Sequence, residues 1–260
     1  VLKFPRDVDP EGNQDYTDVL PSFHAKYGIH RNANLRFSYA RAINRPSFFE
    51  IVPYSIINED YKEKGNPDLK HTVADNIDLR YEFFPKSSEQ FMVGLFYKNI
   101  QDPIEYGLLN EGQDTYYKPM NFGDAKNLGM EVDVMKYWFG IKANYTYTHS
   151  KVTTDKRIME GSEVKSVRQS RPLFGQAAHV ANLSLLFKET RHGWEGQVSA
   201  SYTGKRLSDI SNWYEDDIWE DGYTQLDASI EKSFKNGISI FGKASNLLDI
   251  PLLRYIQKGP

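Results

Sequence analysis

Residues 76–83 read NIDLRYEF, and polar and apolar side chains alternate through this stretch without an exception. Successive side chains of a β-strand point to opposite faces, so one face of this strand is apolar and aromatic and the other is polar and charged. Similar stretches of about ten residues recur along the chain. The average strand has about 5–6 residues, whereas a strand that crosses a membrane needs about 9–11. The pattern therefore favours membrane-spanning strands.

The expected strands come in five pairs, and each pair is joined by a short connection that contains Gly, Pro, Asn or Ser. These residues favour tight turns between antiparallel strands. The pairs cover residues 17–27 and 33–42, 73–84 and 89–102, 127–137 and 140–150, 177–188 and 194–205, and 222–233 and 237–247. Long polar connections separate the pairs, near 43–72, 103–126, 151–176 and 206–221. This alternation predicts an all-β, antiparallel, up-and-down meander of about ten strands, with Trp138 and Phe139 in the third short joint.

Composition narrows the class of protein. The chain has 260 residues and a net charge of -3, which argues against a nucleic-acid binder because such proteins usually carry a basic excess. It has no Cys, so disulfides, thiolate metal sites and thiol nucleophiles are excluded. The six His show no metal-ligand spacing, and no phosphate-binding loop or catalytic motif is present. We therefore expect no enzyme activity, no metal site and no cofactor.

A transmembrane β-barrel accounts for both faces of these strands. Backbone groups in lipid must be satisfied internally, and a closed antiparallel barrel does this with an apolar outside and a polar lumen. The mean hydropathy of -0.61 agrees with a barrel, whose strands alternate polar and apolar residues. The charged residues that we expect to face the lumen are Arg36, Arg80, Glu82, Glu131 and Asp133.

Several short motifs, in order along the chain, resemble those of TonB-dependent outer-membrane receptors of Gram-negative bacteria, and most closely those of Bacteroidetes. The first group comprises Arg45-Pro46, then Gly65-Asn66-Pro67-Asp68-Leu69, then Asn76-Ile77-Asp78-Leu79. The motifs that follow are FYKNIQDPI at 96–104, MNFGDAKNLGMEVDV at 120–134 and ASNLLD at 244–249. Each motif is short, but together they extend over nearly the whole chain.

The resemblance implies a 22-stranded barrel with a plug in its lumen. Residues 1–260 would then be a single incomplete domain, the C-terminal portion of the barrel, without the plug, the first strands or the last strand. The whole protein would bind a scarce solute, such as a siderophore, haem, a vitamin or a glycan, and import it with energy supplied through TonB. The expected partners are outer-membrane lipid, the plug and TonB, a small-molecule or glycan ligand and a surface lipoprotein. The lumen residues would face the plug.

Two of the long connections hold candidate solute-binding residues. Residues 206–221 combine aromatic rings with carboxylates, a composition suited to stacking and polar contacts or to an ordinary solvated loop. Residues 151–176 are basic, which suits lipopolysaccharide or an anionic solute but equally a mobile loop with scattered charge. The residues that we select as candidates are Trp213, Tyr214, Asp216, Asp217, Trp219, Arg168 and Arg171.

Two other classes of protein remain open from the sequence alone. A passive outer-membrane porin has the same strand pattern but no plug, and an outer-membrane enzyme barrel would need a nucleophile and a base, which the sequence does not offer. A soluble carbohydrate-binding β-sandwich also alternates polar and apolar residues, although it does not need such long strands.

Overall fold

The computed structural model describes residues 15–57, 62–86, 89–111, 114–136, 140–189 and 191–257. Strand makes up 69% of the described residues and helix 2%, which confirms the all-β prediction. One four-residue helix, α1, spans Phe48–Ile51. The strands, in chain order, are β1 Ser22–His30, β2 Ala33–Asn44, β3 Ser55–Ile57, β4 Lys62–Lys64, β5 Thr72–Phe83, β6 Gln90–Gln101, β7 Ile104–Glu111, β8 Asp114–Asn121, β9 Ala125–Lys136, β10 Ile141–Glu160, β11 Glu163–Arg171, β12 His179–Glu189, β13 Trp194–Thr203, β14 Arg206–Ser211, β15 Ile218–Glu220, β16 Tyr223–Ser233, β17 Ser239–Ala244 and β18 Arg254–Ile256.

The main sheet has the order β1-β2-β5-β6-β9-β10-β12-β13-β16-β17, and β11 pairs with the outer part of β10. All of its pairings are antiparallel. These ten strands are the five predicted pairs, so the meander is confirmed. Within the described residues the sheet is open, with β1 and β17 at its edges. The chain therefore supplies part of a barrel wall.

The strand register places the apolar residues of NIDLRYEF next to apolar residues of the neighbouring strands. Leu35 pairs with Tyr81 and Phe37 with Leu79, so apolar residues meet apolar residues on one face. Large side chains on this face stay exposed, as in Leu79 (42%) and Leu95 (51%). An exposed apolar face of this extent is what a bilayer covers. The soluble β-sandwich alternative is wrong, because a sandwich would bury this face against a second sheet.

The long polar connections contain strands that the sequence analysis did not predict. They contain β3, β4, β7, β8, β14 and β15, which together with β18, after the last long strand, form a second, seven-stranded sheet. The prediction also ended the sixth long strand at residue 150, whereas β10 continues to Glu160 and pairs with β11. The expected joint at Trp138 and Phe139 lies outside the described residues.

Close packing concentrates where the long connections leave the main sheet. Among the described residues, the buried apolar side chains at this end include Leu69, Val152, Leu207 and Ile210. Of the helical segments that the structure describes, none has the length and apolar character needed to span a bilayer. The core of the chain is thus a small one between the long connections.

Candidate functional site

The candidate site is the second sheet, which we call the outer-loop sheet: strands β3, β4, β7, β8, β14, β15 and β18. Two parallel pairings join loops from different hairpins, β14 with β7 and β4 with β8. Gly107 permits the first of these, because a Cβ there would lie 2.9 Å from the Ile210 carbonyl oxygen and 3.0 Å from the Phe122 ring. Three separate long connections thereby become one surface.

A buried ion pair holds the loop between β14 and β15. Lys156 Nζ lies 2.6 Å from Asp217 Oδ1, and both side chains are almost fully buried. The same carboxylate oxygen accepts the Ser211 N–H at 2.7 Å, and Lys156 also donates to the Ser211 carbonyl. Burial lowers the pKa of Lys156, although Asp217 opposes that shift. The pair anchors this loop to β10.

A second buried pair links β7 to the end of β11. Arg171 donates to Glu105 through two bonds, Nη2 to Oε2 at 2.8 Å and Nη1 to Oε1 at 3.1 Å. Phe174 N–H also donates to Glu105, at 2.7 Å, and the guanidinium lies over the Phe122 ring. Two-pronged pairs of this type fix geometry as well as charge. Arg171 and Glu105 therefore position the two connections relative to each other.

A third charged cluster lies at the β18 end of the outer-loop sheet. Glu220 is 3% exposed and accepts two hydrogen bonds from Arg206, with Nε at 3.0 Å and Nη2 at 2.5 Å. Arg254, on β18, lies 3.6 Å from the same carboxylate. Burial raises the pKa of the nearby Asp209 carboxyl. These charges connect β14, β15 and β18 across their ends.

Aromatic side chains line the same end of the sheet. Trp219 and Tyr255 are register partners on β15 and β18, and Lys205 Nζ lies 4.6 Å and 5.1 Å from the two ring centroids. Rings with a cation between them present both stacking surfaces and charge. This is the part of the outer-loop sheet best suited to hold an organic solute.

A tyrosine cluster on β7 and β8 was missed by the sequence reasoning. The rings of Tyr106 and Tyr117 stack at 5.3 Å, and Tyr106 Oη donates to Glu50 at 3.2 Å. Tyr54 Oη donates to Glu63 at 2.8 Å, and burial with this carboxylate raises the pKa of Tyr54 to about 12. Residues 105–121 carry no sustained period-2 signal, because apolar and aromatic residues stand in adjacent pairs such as Leu108-Leu109 and Tyr116-Tyr117.

A protein-family model described as TonB dependent receptor-like, beta-barrel matches residues 3–247. The chain belongs to this family. Members of the family are transport receptors of the Gram-negative outer membrane, and they bind TonB together with small-molecule or siderophore ligands. The sequence prediction of a TonB-dependent receptor and of an outer-membrane location is therefore confirmed. The likeness to Bacteroidetes members stays a prediction.

Solved structures of similar fold include a ferric enterobactin receptor, a siderophore receptor and a copper transporter. A variant of the ferric enterobactin receptor PfeA from Pseudomonas aeruginosa is 16% identical, with a TM-score of 0.58 over 89% of this chain and 35% of that one. The siderophore receptor PirA from Acinetobacter baumannii is 17% identical, with a TM-score of 0.59 over 88% and 37%. The copper transporter OprC is 14% identical, with a TM-score of 0.62 over 90% and 34%. The chain thus spans about a third of each structure, and a comparison with curated proteins found no match.

In this receptor segment the predicted solute-binding residues divide into exposed and buried groups. Tyr214 is 37% exposed, Trp213 and Asp216 are half-buried beside it, and all three follow β14. Trp213 N–H donates to Ser211 Oγ at 3.1 Å, and Arg157 pairs with Trp213 through a parallel bridge. Their role in solute binding stays a prediction.

The charged candidates of this group occupy different environments. Asp217 and Arg171 are committed to the buried ion pairs described above, which suits a positioning role. The Arg168 side chain is 84% exposed, 3.7 Å from Asp155 on the β10–β11 hairpin. A direct contact of any of the three with solute stays a prediction.

The predicted lumen residues share the face of the receptor wall opposite the exposed apolar side chains. Arg36 is paired with Glu82 at 2.7 Å and Arg80 with Glu131 at 3.5 Å, while Asp133 accepts a bond from the Gln90 amide at 2.5 Å. These charged side chains therefore find partners within the wall itself. Contact with a plug stays a prediction.

Proposed function

We propose that this chain is the C-terminal portion of an outer-membrane active transport receptor with a 22-stranded, plugged barrel. The whole receptor binds a scarce solute (a siderophore, haem, a vitamin or a glycan) and imports it with energy from TonB. This chain supplies barrel wall and outer loops and carries out no enzymatic step. Its other partners are outer-membrane lipid and a surface lipoprotein.

The observation that carries the proposal is the outer-loop sheet. A passive pore needs outer loops that leave its mouth open, whereas here four loops are tied together by two parallel strand pairings and by buried ion pairs. Buried charges are expensive to separate, so such a structure holds a defined shape. A defined surface with rings and charges suits recognition of one solute at low concentration.

The first test is uptake by cells that carry or lack the full-length receptor. We expect the deletion strain to lose growth on one of the four solute classes at limiting concentration. Uptake of that solute should stop when the proton gradient of the inner membrane is collapsed, because TonB draws on that gradient. Uptake that continues without the gradient would instead support a passive porin.

The second test places solute binding at the aromatic end of the outer-loop sheet. We expect Trp219→Ala and Trp213→Ala in the full receptor each to weaken solute binding about 5- to 30-fold, because a ring contact contributes about 1–2 kcal/mol. Trp194→Ala, on the membrane face, is the matched control and should leave affinity unchanged. Equal affinities in all three variants would exclude this surface as the binding site.

A further inference from the structure

The membrane face of the main sheet carries a groove near its short-turn end. It is an open depression of about 620 Å³ over strands β12, β13, β16 and β17. Four register partners form a row across these strands: Phe187, Gly196, Ile230 and Gly242. Large apolar side chains therefore alternate with glycines along the row. The neighbouring row contributes Ala228. The groove is therefore walled by large apolar side chains and floored by backbone.

The backbone does not require glycine at these two floor positions. A Cβ at Gly196 would have Ser229 O as its nearest atom, at 3.5 Å, and a Cβ at Gly242 would have Ile230 Cγ2, at 3.9 Å. Both are ordinary contacts, and neither glycine has a positive φ. Glycine weakens a strand interior. The consequence of placing it here is an open groove on the membrane face.

A cation stands at the short-turn end of the groove. Lys232 is on the same face, one row closer to the turns, where its register partners are Trp194 and Ile240. Its Nζ lies 4.9 Å from the Trp194 ring centroid and 5.5 Å from that of Phe234, and it donates to the His192 carbonyl. The amino group is thus held at the boundary between apolar face and turn.

The charge around Lys232 is positive. The two flanking turns carry Arg191 and Lys235. The acidic residue on this side, Glu189, accepts the backbone N–H groups of Arg191 and His192 at 2.7 Å and 2.8 Å. The carboxylate therefore caps its own turn. Cations next to a membrane attract anionic lipid headgroups.

We propose that the groove and Lys232 bind one anionic phospholipid, with an acyl chain in the groove and the phosphate at Lys232. Short turns of outer-membrane barrels lie on the periplasmic side, so the lipid comes from the periplasmic leaflet. The site combines an apolar channel for the tail with a fixed cation for the head. It is independent of which solute the receptor transports.

The test is native mass spectrometry of the full-length receptor in detergent, delipidated and then titrated with phosphatidylglycerol. We expect one bound lipid per receptor, and weaker binding of the zwitterionic phosphatidylethanolamine. Gly242→Leu should weaken binding about tenfold, because it displaces roughly two methylene groups from the groove. Lys232→Gln should weaken phosphatidylglycerol about fivefold and reduce the preference over phosphatidylethanolamine.

Ala200→Leu is the matched control, since it adds the same side chain to the membrane face one row beyond the groove. Heat-modifiable migration confirms that each variant is folded, and Ala228→Leu replaces Gly242→Leu if that variant fails to fold. Absence of bound phosphatidylglycerol, or equal loss in Ala200→Leu, overturns the proposal. A receptor dimer that disappears in Gly242→Leu would also overturn it, because the groove would then be an interface between two copies.

Discussion

At the scale of single residues, Lys156 shows how one buried charge fixes a loop. Replacing it by methionine leaves Asp217 buried without its partner, which costs about 3–5 kcal/mol. We expect Lys156→Met to raise hydrogen exchange and proteolysis in residues 206–221 of the full receptor. Lys165→Met is the control, because its ion pair with Glu160 is exposed and contributes less than about 1 kcal/mol. Equal protection in both variants would show that the buried pair does not hold the loop.

The stability contributed by the Tyr54 hydrogen bond should depend on pH. Its folded pKa of about 12 is raised above the ordinary 10.0 by burial and by Glu63. The hydrogen bond to Glu63 therefore contributes full stability below about pH 10 and loses it as the pH rises through about 12. A difference titration of tyrosine absorbance, full receptor against Tyr54→Phe, should show one phenol ionising near pH 12. Ionisation of that phenol near pH 10 would contradict the cluster geometry.

Position 65 requires glycine because the surrounding backbone leaves no space for a side chain. A Cβ at this position would lie 1.9 Å from the Val52 carbonyl oxygen, so the backbone must move to accept any side chain. We expect Gly65→Ala to displace α1 and β3 and to increase proteolysis within residues 44–72. Gly28→Ala is the control, because nothing lies within 4 Å of its added Cβ. The close approach of Val52 thus gives Gly65 a structural role in its motif.

At the scale of elements, the pairing of β14 with β7 can be tested by a disulfide. The chain has no Cys, so Ser211→Cys with Leu108→Cys introduces one defined pair at register partners. We expect the disulfide to form with mild oxidant and to slow solute uptake if the two loops separate during transport. Ser211→Cys with Thr115→Cys, which are not register partners, should stay reduced. Cross-linking of both pairs alike would mean that the loops are not held in this register.

The elements also show what a sequence can and cannot predict. The hairpin strands were predictable because each has a lipid face and a polar face, and period-2 alternation records both. The outer strands were not, because β3, β4, β15 and β18 have only three residues each and carry no such period. Some of them also pair with strands far away in sequence, as β4 does with β8, where Glu63 is the register partner of Tyr117. The carboxylate of Asp217 could be selected by residue type, but its burial could not.

At the scale of the whole molecule, the exposed apolar face requires a bilayer. We expect the full-length protein to fractionate with the outer membrane, to need detergent for extraction, and to migrate faster on a gel before boiling than after. A closed barrel resists detergent until heated, because it has no free strand edge. Extraction without detergent and migration unaffected by heat would contradict a closed barrel.

The β10–β11 hairpin is continuous with the wall below it. Strand β10 runs unbroken from Ile141 to Glu160, and β11 returns in register as far as Arg171. Ten residues of strand beyond Ser150 extend roughly 30 Å. Its tip is a two-residue turn at Gly161, with open space around it. A peptide epitope inserted at that turn would be displayed at the end of a rigid β-hairpin and would be accessible to an antibody on intact cells. The same insertion between β14 and β15 would disrupt the buried Lys156–Asp217 ion pair.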